Sequence, residues 1–238
     1  MTAGTGSGRI GVQGSLYREL RRRHPEVQPI LASKATLVAT SHLVEDLLAR
    51  SPGRNLLLSG FQHGRNWAAE RDRYLRLASG GEVIAVFAGR EPPEGWSVDH
   101  VGVRLRDGDP LSQEWFVLAL GPEVAVTLCG LDADDFASRS PQDGERLFEV
   151  VWSVDPGVAR GAAGVVLDAV RESAPERVGE VGSALAGLAL PDAAQAAAVA
   201  RGADHVVAGL LDRVERLRGR ERRVEREATR RRRSSSRA

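Results

Sequence analysis

The chain has 238 residues, 42% hydrophobic and 27% charged, with a net charge of +1; that composition is ordinary for a globular protein and buries a core without help from a metal or crosslink. Its single cysteine, Cys129, excludes an intrachain disulfide and a Cys-rich zinc site. No apolar run approaches the roughly 18 residues of a membrane span, and residues 1–8 lack the apolar stretch of a secretory signal, so the chain reads as soluble and cytoplasmic.

In chain order, residues 1–14 read as disordered, and 16–24 as a short helix stopped by Pro25. Leu37, Ser41, Val44 and Leu48 recur at helical spacing and predict a helix over 37–50, ended by Ser51-Pro52-Gly53. Residues 56–61 form a short apolar run that reads as a buried strand. Trp67, Tyr74 and Ala78 share a stripe with Arg71 nearby, which predicts a helix over 64–79. Another strand follows at 83–88. A strand–helix–strand unit of this kind favours parallel pairing.

Residues 100–105 alternate and read as a half-exposed strand. The apolar runs 115–120 and 124–129 flank Gly121-Pro122-Glu123 and predict an antiparallel hairpin. Residues 132–144 are polar and loop-like. Phe148, Val150 and Trp152 alternate with their neighbours and give one more strand. Asp155-Pro156 is a good helix start, because Asp caps free N–H groups and Pro suits the first turn. A last helix is expected from about 191 to at least 217. Its Ala203, Val207, Leu210, Val214, Leu217 and Val224 fall on a 4-3 spacing, which serves either a coiled-coil seam or packing on the chain's own domain.

The fold class is therefore α/β: a mixed central sheet of five to six strands flanked by helices, with a C-terminal helix and a disordered basic tail. The organisation is 1–14 disordered, 15–178 the main domain, 179–217 a helical extension and 218–238 an Arg-rich tail. Residues 213–238 hold twelve Arg and four Glu, a net +8, so the remainder carries −7. Lys34 is the only lysine, and so general a preference for Arg reads as coding bias as readily as phosphate binding.

Catalytic motifs fail. Gly6-Ser7-Gly8-Arg9-Ile10-Gly11 spells GxGxxG, but no strand precedes it. There is no P-loop lysine motif and no GxSxG elbow. The five histidines are scattered without metal-ligand spacing. No catalytic residue, metal site or cofactor is assigned, and the chain reads as no enzyme. A carboxylate base at Glu45 or Glu114 is the last-ranked reading, since no partner residue stands at a usable spacing.

The informative residues are polar ones where burial is expected. Ser41 lies on the apolar face of its helix and must find a hydrogen-bond partner. Glu45, one turn later, is either a helix-edge carboxylate paired with an Arg or a pocket wall. Phe61-Gln62 ends a buried strand, where open α/β sheets bind ligands. Gln62 suits either a polar ligand or a helix cap. Glu114-Trp115 opens the hairpin, and Trp152 lies late in its strand. Tryptophans are most often core, yet aromatic walls with a few polar groups also build small-molecule pockets.

Five segments in order strengthen that second reading: Leu37-Val38-Ala39-x-Ser41-x-x-Val44-Glu45-Asp46; Phe61-Gln62; Tyr74-x-x-Leu77-Ala78; Leu111-x-x-Glu114-Trp115; and Phe148-Glu149-x-x-Trp152-Ser153-x-Asp155-Pro156. Their order and spacing over about 33–172 resemble the DICT domain, a sensory domain named for diguanylate cyclases and two-component systems. The resemblance implies an input module for a small-molecule or light-linked signal, relayed to a signalling or transcription partner. Ser41, Glu45, Phe61, Gln62, Glu114, Trp115 and Trp152 are its candidate ligand-binding residues, around a hollow expected near Gln62, Glu114 and Trp152. The family's usual cyclase, kinase or helix-turn-helix output is not visible here.

The alternative reading is a nucleic-acid-associated transcriptional regulator that uses Arg230, Arg231, Arg232 and Arg233 on phosphates. No aromatics interleave with these arginines for base stacking. A solvated tail that docks on the acidic domain of a second copy is the competing explanation, with 203–217 as the expected homodimer seam.

Overall fold

The computed structural model describes residues 14–62, 64–81, 83–89, 101–106, 108–133 and 146–192, and positions 196, 207, 211, 214–216 and 219 beyond them. The Arg230–Arg233 run, residues 134–145 and most of residues 203–217 lie outside the described residues.

The elements follow from local chemistry. Helix α1 (Leu16–Arg23) starts at Ser15, whose hydroxyl accepts from the Arg18 amide, and Leu16, Tyr17 and Leu20 turn inward. Three arginines in its last turn complement the helix dipole. Strand β1 (Ile30–Ser33) runs directly into α2 (Lys34–Arg50), because Ser33 both ends the strand and caps the helix. Strand β2 (Leu56–Phe61), α3 (Gly64–Ser79) and β3 (Val83–Ala88) form the expected parallel unit, extended by β4 (Val101–Arg104). A short 3-10 turn, Pro110–Gln113, leads into β5 (Glu114–Leu120), which makes the expected antiparallel hairpin with β6 (Ala125–Asp132). Strand β7 (Leu147–Ser153) is followed by α4 (Pro156–Ser173), whose cap Asp155 accepts from the Gly157 amide at 2.7 Å. A second 3-10 turn, Pro175–Arg177, precedes α5 (Val178–Ala186).

The class is mixed α/β as expected, with seven strands rather than five to six, in the order β1-β7-β6-β5-β2-β3-β4. The additional strand is β1, four residues long, paired antiparallel with β7 through Ile30–Val150 and Ser33–Leu147. Period-two alternation sends side chains to two cores. Leu58, Phe87, Phe116, Cys129 and Val151 face α1, α4 and α5. Leu57, Val86, Trp115, Leu128 and Phe148 face α2 and α3. Gly60 has a packing reason: a Cβ there would lie 2.1 Å from a Phe116 ring carbon.

The boundary expected at 178 falls inside this packing, since Val181, Ala184 and Leu188 join the α1–α4 core. In the C-terminal segment, Val207 packs against the other core. Farther along, Glu215 Oε1 accepts from Ser33 Oγ (2.9 Å) and from the Thr36 hydroxyl, at the first turn of α2.

Candidate functional site

On the α2–α3 side, four elements converge on buried polar groups. Ser41 sits in mid-α2, 4% exposed, and accepts the Trp115 indole N–H from β5 at 3.1 Å. One turn later Glu45 is 2% exposed. It accepts from Arg73 Nε of α3 at 2.5 Å and from the Tyr74 hydroxyl at 2.8 Å. Tyr74 is also bonded to Ser59 Oγ of β2 at 2.8 Å. The second side of the Arg73 fork reaches Asp46 and the His42 carbonyl. His42 in turn lies 2.9 Å from Glu70. Burial raises the Glu45 carboxyl above the ordinary carboxylate range, while Arg73 and Tyr74 pull it down. Burial also raises the Tyr74 phenol, and the Glu45 charge adds to that.

Beside the network, Phe61, Trp67 and Tyr74 pack edge to face with centroids 5.2–5.7 Å apart. Ser41, Glu45, Phe61 and Trp115 line one recess together with Tyr74 and His42. Its volume is about 10 Å³, enough for a single water. Glu45 thus pairs with Arg73 and also lines the recess.

The other candidates lie elsewhere. Gln62 is buried at the end of β2, where its Nε2 donates to the Gln113 carbonyl at 2.6 Å. Its Oε1 has no partner among the described residues, and neither has Trp152 Nε1 on β7. Glu114 stands on the opposite face from Trp115, as alternation along β5 requires. Its carboxylate accepts from Ser15 Oγ (2.5 Å) and from the Leu16 (2.9 Å) and Tyr17 (3.3 Å) amides, so it secures the start of α1. Gln62, Glu114 and Trp152 therefore do not share the recess with Ser41.

A larger open cleft of about 640 Å³ lies between α1 and α4. Within it Arg23 pairs with Glu19, Arg171 pairs with Asp168, and Arg106 donates to the Glu172 backbone carbonyl. None of the seven candidate residues lines it.

Sequence reasoning misses Arg73, Ser59, His42 and Glu70. Ser59 is the one hydroxyl inside an otherwise apolar strand, and that is a usable signal. Arg73 stands one residue before Tyr74, which marks it as α3's cation nearest the buried stripe. Nothing local marks His42 or Glu70.

Residues 14–131 match the family described as DICT, the sensory domain in diguanylate cyclases and two-component systems. The match takes in α1 and ends at the close of β6. The sheet is completed only by β7, which lies between β6 and β1. No curated protein matches the chain. Among the described residues, no helix is long and apolar enough to cross a membrane.

Proposed function

We propose that this chain, whose residues 14–131 are a DICT sensory domain, is a non-enzymatic regulator that receives a small polar molecule at the recess between α2, α3, β2 and β5. It then relays the event through its C-terminal segment to a signalling or transcription partner. The observation that carries this reading is the double engagement of α2. Ser41 and Glu45 at its middle hold Trp115, Arg73 and Tyr74, while its first turn holds Glu215. Ser41 and Thr36 are five residues apart, roughly 7.5 Å along a helix. A rigid shift of α2 at one contact therefore reaches the other.

The recess volume sets a condition. About 10 Å³ admits nothing beyond a water, so binding must part α2 or α3 from the sheet. A ligand does this only by its higher affinity for the parted state. The lining favours one chemistry for such a ligand. Ser41 and His42 offer hydrogen bonds, Glu45 and Glu70 disfavour an anion, and Phe61 and Trp115 supply aromatic walls. This points to a small neutral or cationic molecule with polar groups. Thermal-shift screening of the intact chain against a metabolite panel tests it. Stabilisation by a neutral or cationic compound supports the reading, and a chain that no compound stabilises overturns it.

A further inference from the structure

The Glu114 contacts have no part in the recess. Glu114 is fully buried, 0% exposed. No Arg, Lys or His pairs with it among the described residues. Its partners are the hydroxyl of Ser15, the first two amides of α1, and the Cys129 thiol at 4.0 Å. Among the described residues, the positive charge facing it is the partial one of an eight-residue helix.

We propose that α1 is a proton-gated flap latched by Glu114: it docks firmly over Cys129 when Glu114 is neutral, and it lifts more readily when Glu114 is ionised.

Both protonation states fit the geometry. As an acid, Glu114 donates Oε1–H to Ser15 Oγ across the same 2.5 Å, and Oε2 still accepts from Leu16 and Tyr17. As a carboxylate it accepts all three bonds, and these donors offset only part of the cost of holding a net charge out of water. Lifting α1 removes that cost by hydrating the carboxylate. Burial accordingly raises the Glu114 pKa to about 7, against an ordinary 4.5, with Asp109 adding to the rise.

The surroundings leave this assignment to Glu114. Asp109 approaches from the turn before β5, where its own carboxyl is raised by burial. Cys129 comes from β6, and burial holds its thiol protonated. From β7, Glu149 accepts from the Tyr17 hydroxyl, with Arg21 nearby on α1. Helix α4 turns Ala159, Ala162, Ala163 and Val166 into this core. The flap is small, with Leu16, Tyr17 and Leu20 as its buried side chains. A short element with few buried side chains opens locally at less cost than the whole fold.

The sign follows from the two states. The open flap returns Glu114 to its ordinary value, so the opening equilibrium rises with pH and levels off above about 7. Between pH 5.5 and 8.5 the rise is about 30-fold. Amide hydrogen exchange of the intact chain at Leu16, Tyr17 and Leu20, corrected for intrinsic rates, reads it. The expected result is faster opening of these amides than of the β5 amides, an approximately 30-fold rise in wild type, and a flat profile in Glu114→Gln. A flat wild-type profile overturns the proposal without any variant. So does α1 exchange that merely tracks β5, or an equal rise in Glu114→Gln.

Discussion

Trp115 and Ser41 meet 3.1 Å apart, indole N–H to hydroxyl, and this one bond ties the start of β5 to the middle of α2. Both groups are nearly excluded from solvent. Replacing Ser41 by Ala leaves a buried N–H without an acceptor, at a cost of about 1–3 kcal/mol. Urea unfolding should show that loss with an unchanged m-value. The double variant Ser41→Ala/Trp115→Phe should cost less than the two single changes summed, since no donor is then left unpaired.

Tyr74 bridges Glu45 and Ser59 at 2.8 Å on each side. Tyr74→Phe keeps the edge-to-face aromatic packing and removes the bridge. The expected destabilisation is about 1–3 kcal/mol, measured by chemical denaturation. The cost in a Ser59→Ala background should be smaller, because one of the two stranded partners is already gone.

Glu114 sets the direction of the pH dependence. A folded value of about 7 against an ordinary 4.5 means that the native chain binds the proton more tightly than the unfolded chain. The associated stability is complete below about pH 4.5 and is lost as pH rises through 7, by roughly 3 kcal/mol. Unfolding free energies at pH 5.5 and 8.5 should differ less in Glu114→Gln than in wild type.

Gly60 sits against the Phe116 ring with no room for a methyl group. Gly60→Ala should therefore destabilise the fold through overpacking, by about 1–3 kcal/mol or more, read as a lower melting temperature. Adding Phe116→Leu should recover part of the loss.

Glu215 anchors the C-terminal segment to Ser33 and Thr36. Glu215→Ala should speed limited proteolysis within 190–220, while the unfolding of the sheet domain stays within about 1 kcal/mol of wild type. If the cleavage rate does not change, the anchor is not at Glu215.

Most of the fold is legible in the sequence because its elements are long and regularly patterned. The alternation of 147–153 and the Gly-Pro turn between β5 and β6 are unambiguous signals. Strand β1 escapes because four residues between Pro29 and a helix cap give too short a pattern, and its partner is a distant strand. The recess is half legible. Ser41 and Glu45 stand out as polar residues on an apolar face, but Arg73 meets Glu45 only across 28 positions of sequence. Glu114 and Trp115 are adjacent in the chain, yet period-two alternation assigns them to opposite faces. Side chains that meet through strand pairing leave no local trace.

The most direct test of the receptor reading is the melting temperature of the intact chain against a panel of small polar metabolites, run in parallel on wild type and Ser41→Ala. At least one neutral or cationic compound should raise the wild-type melting temperature and fail to raise that of the variant. If no compound shifts wild type, or if every shift persists in the variant, the recess beneath α2 is not where this protein receives its signal.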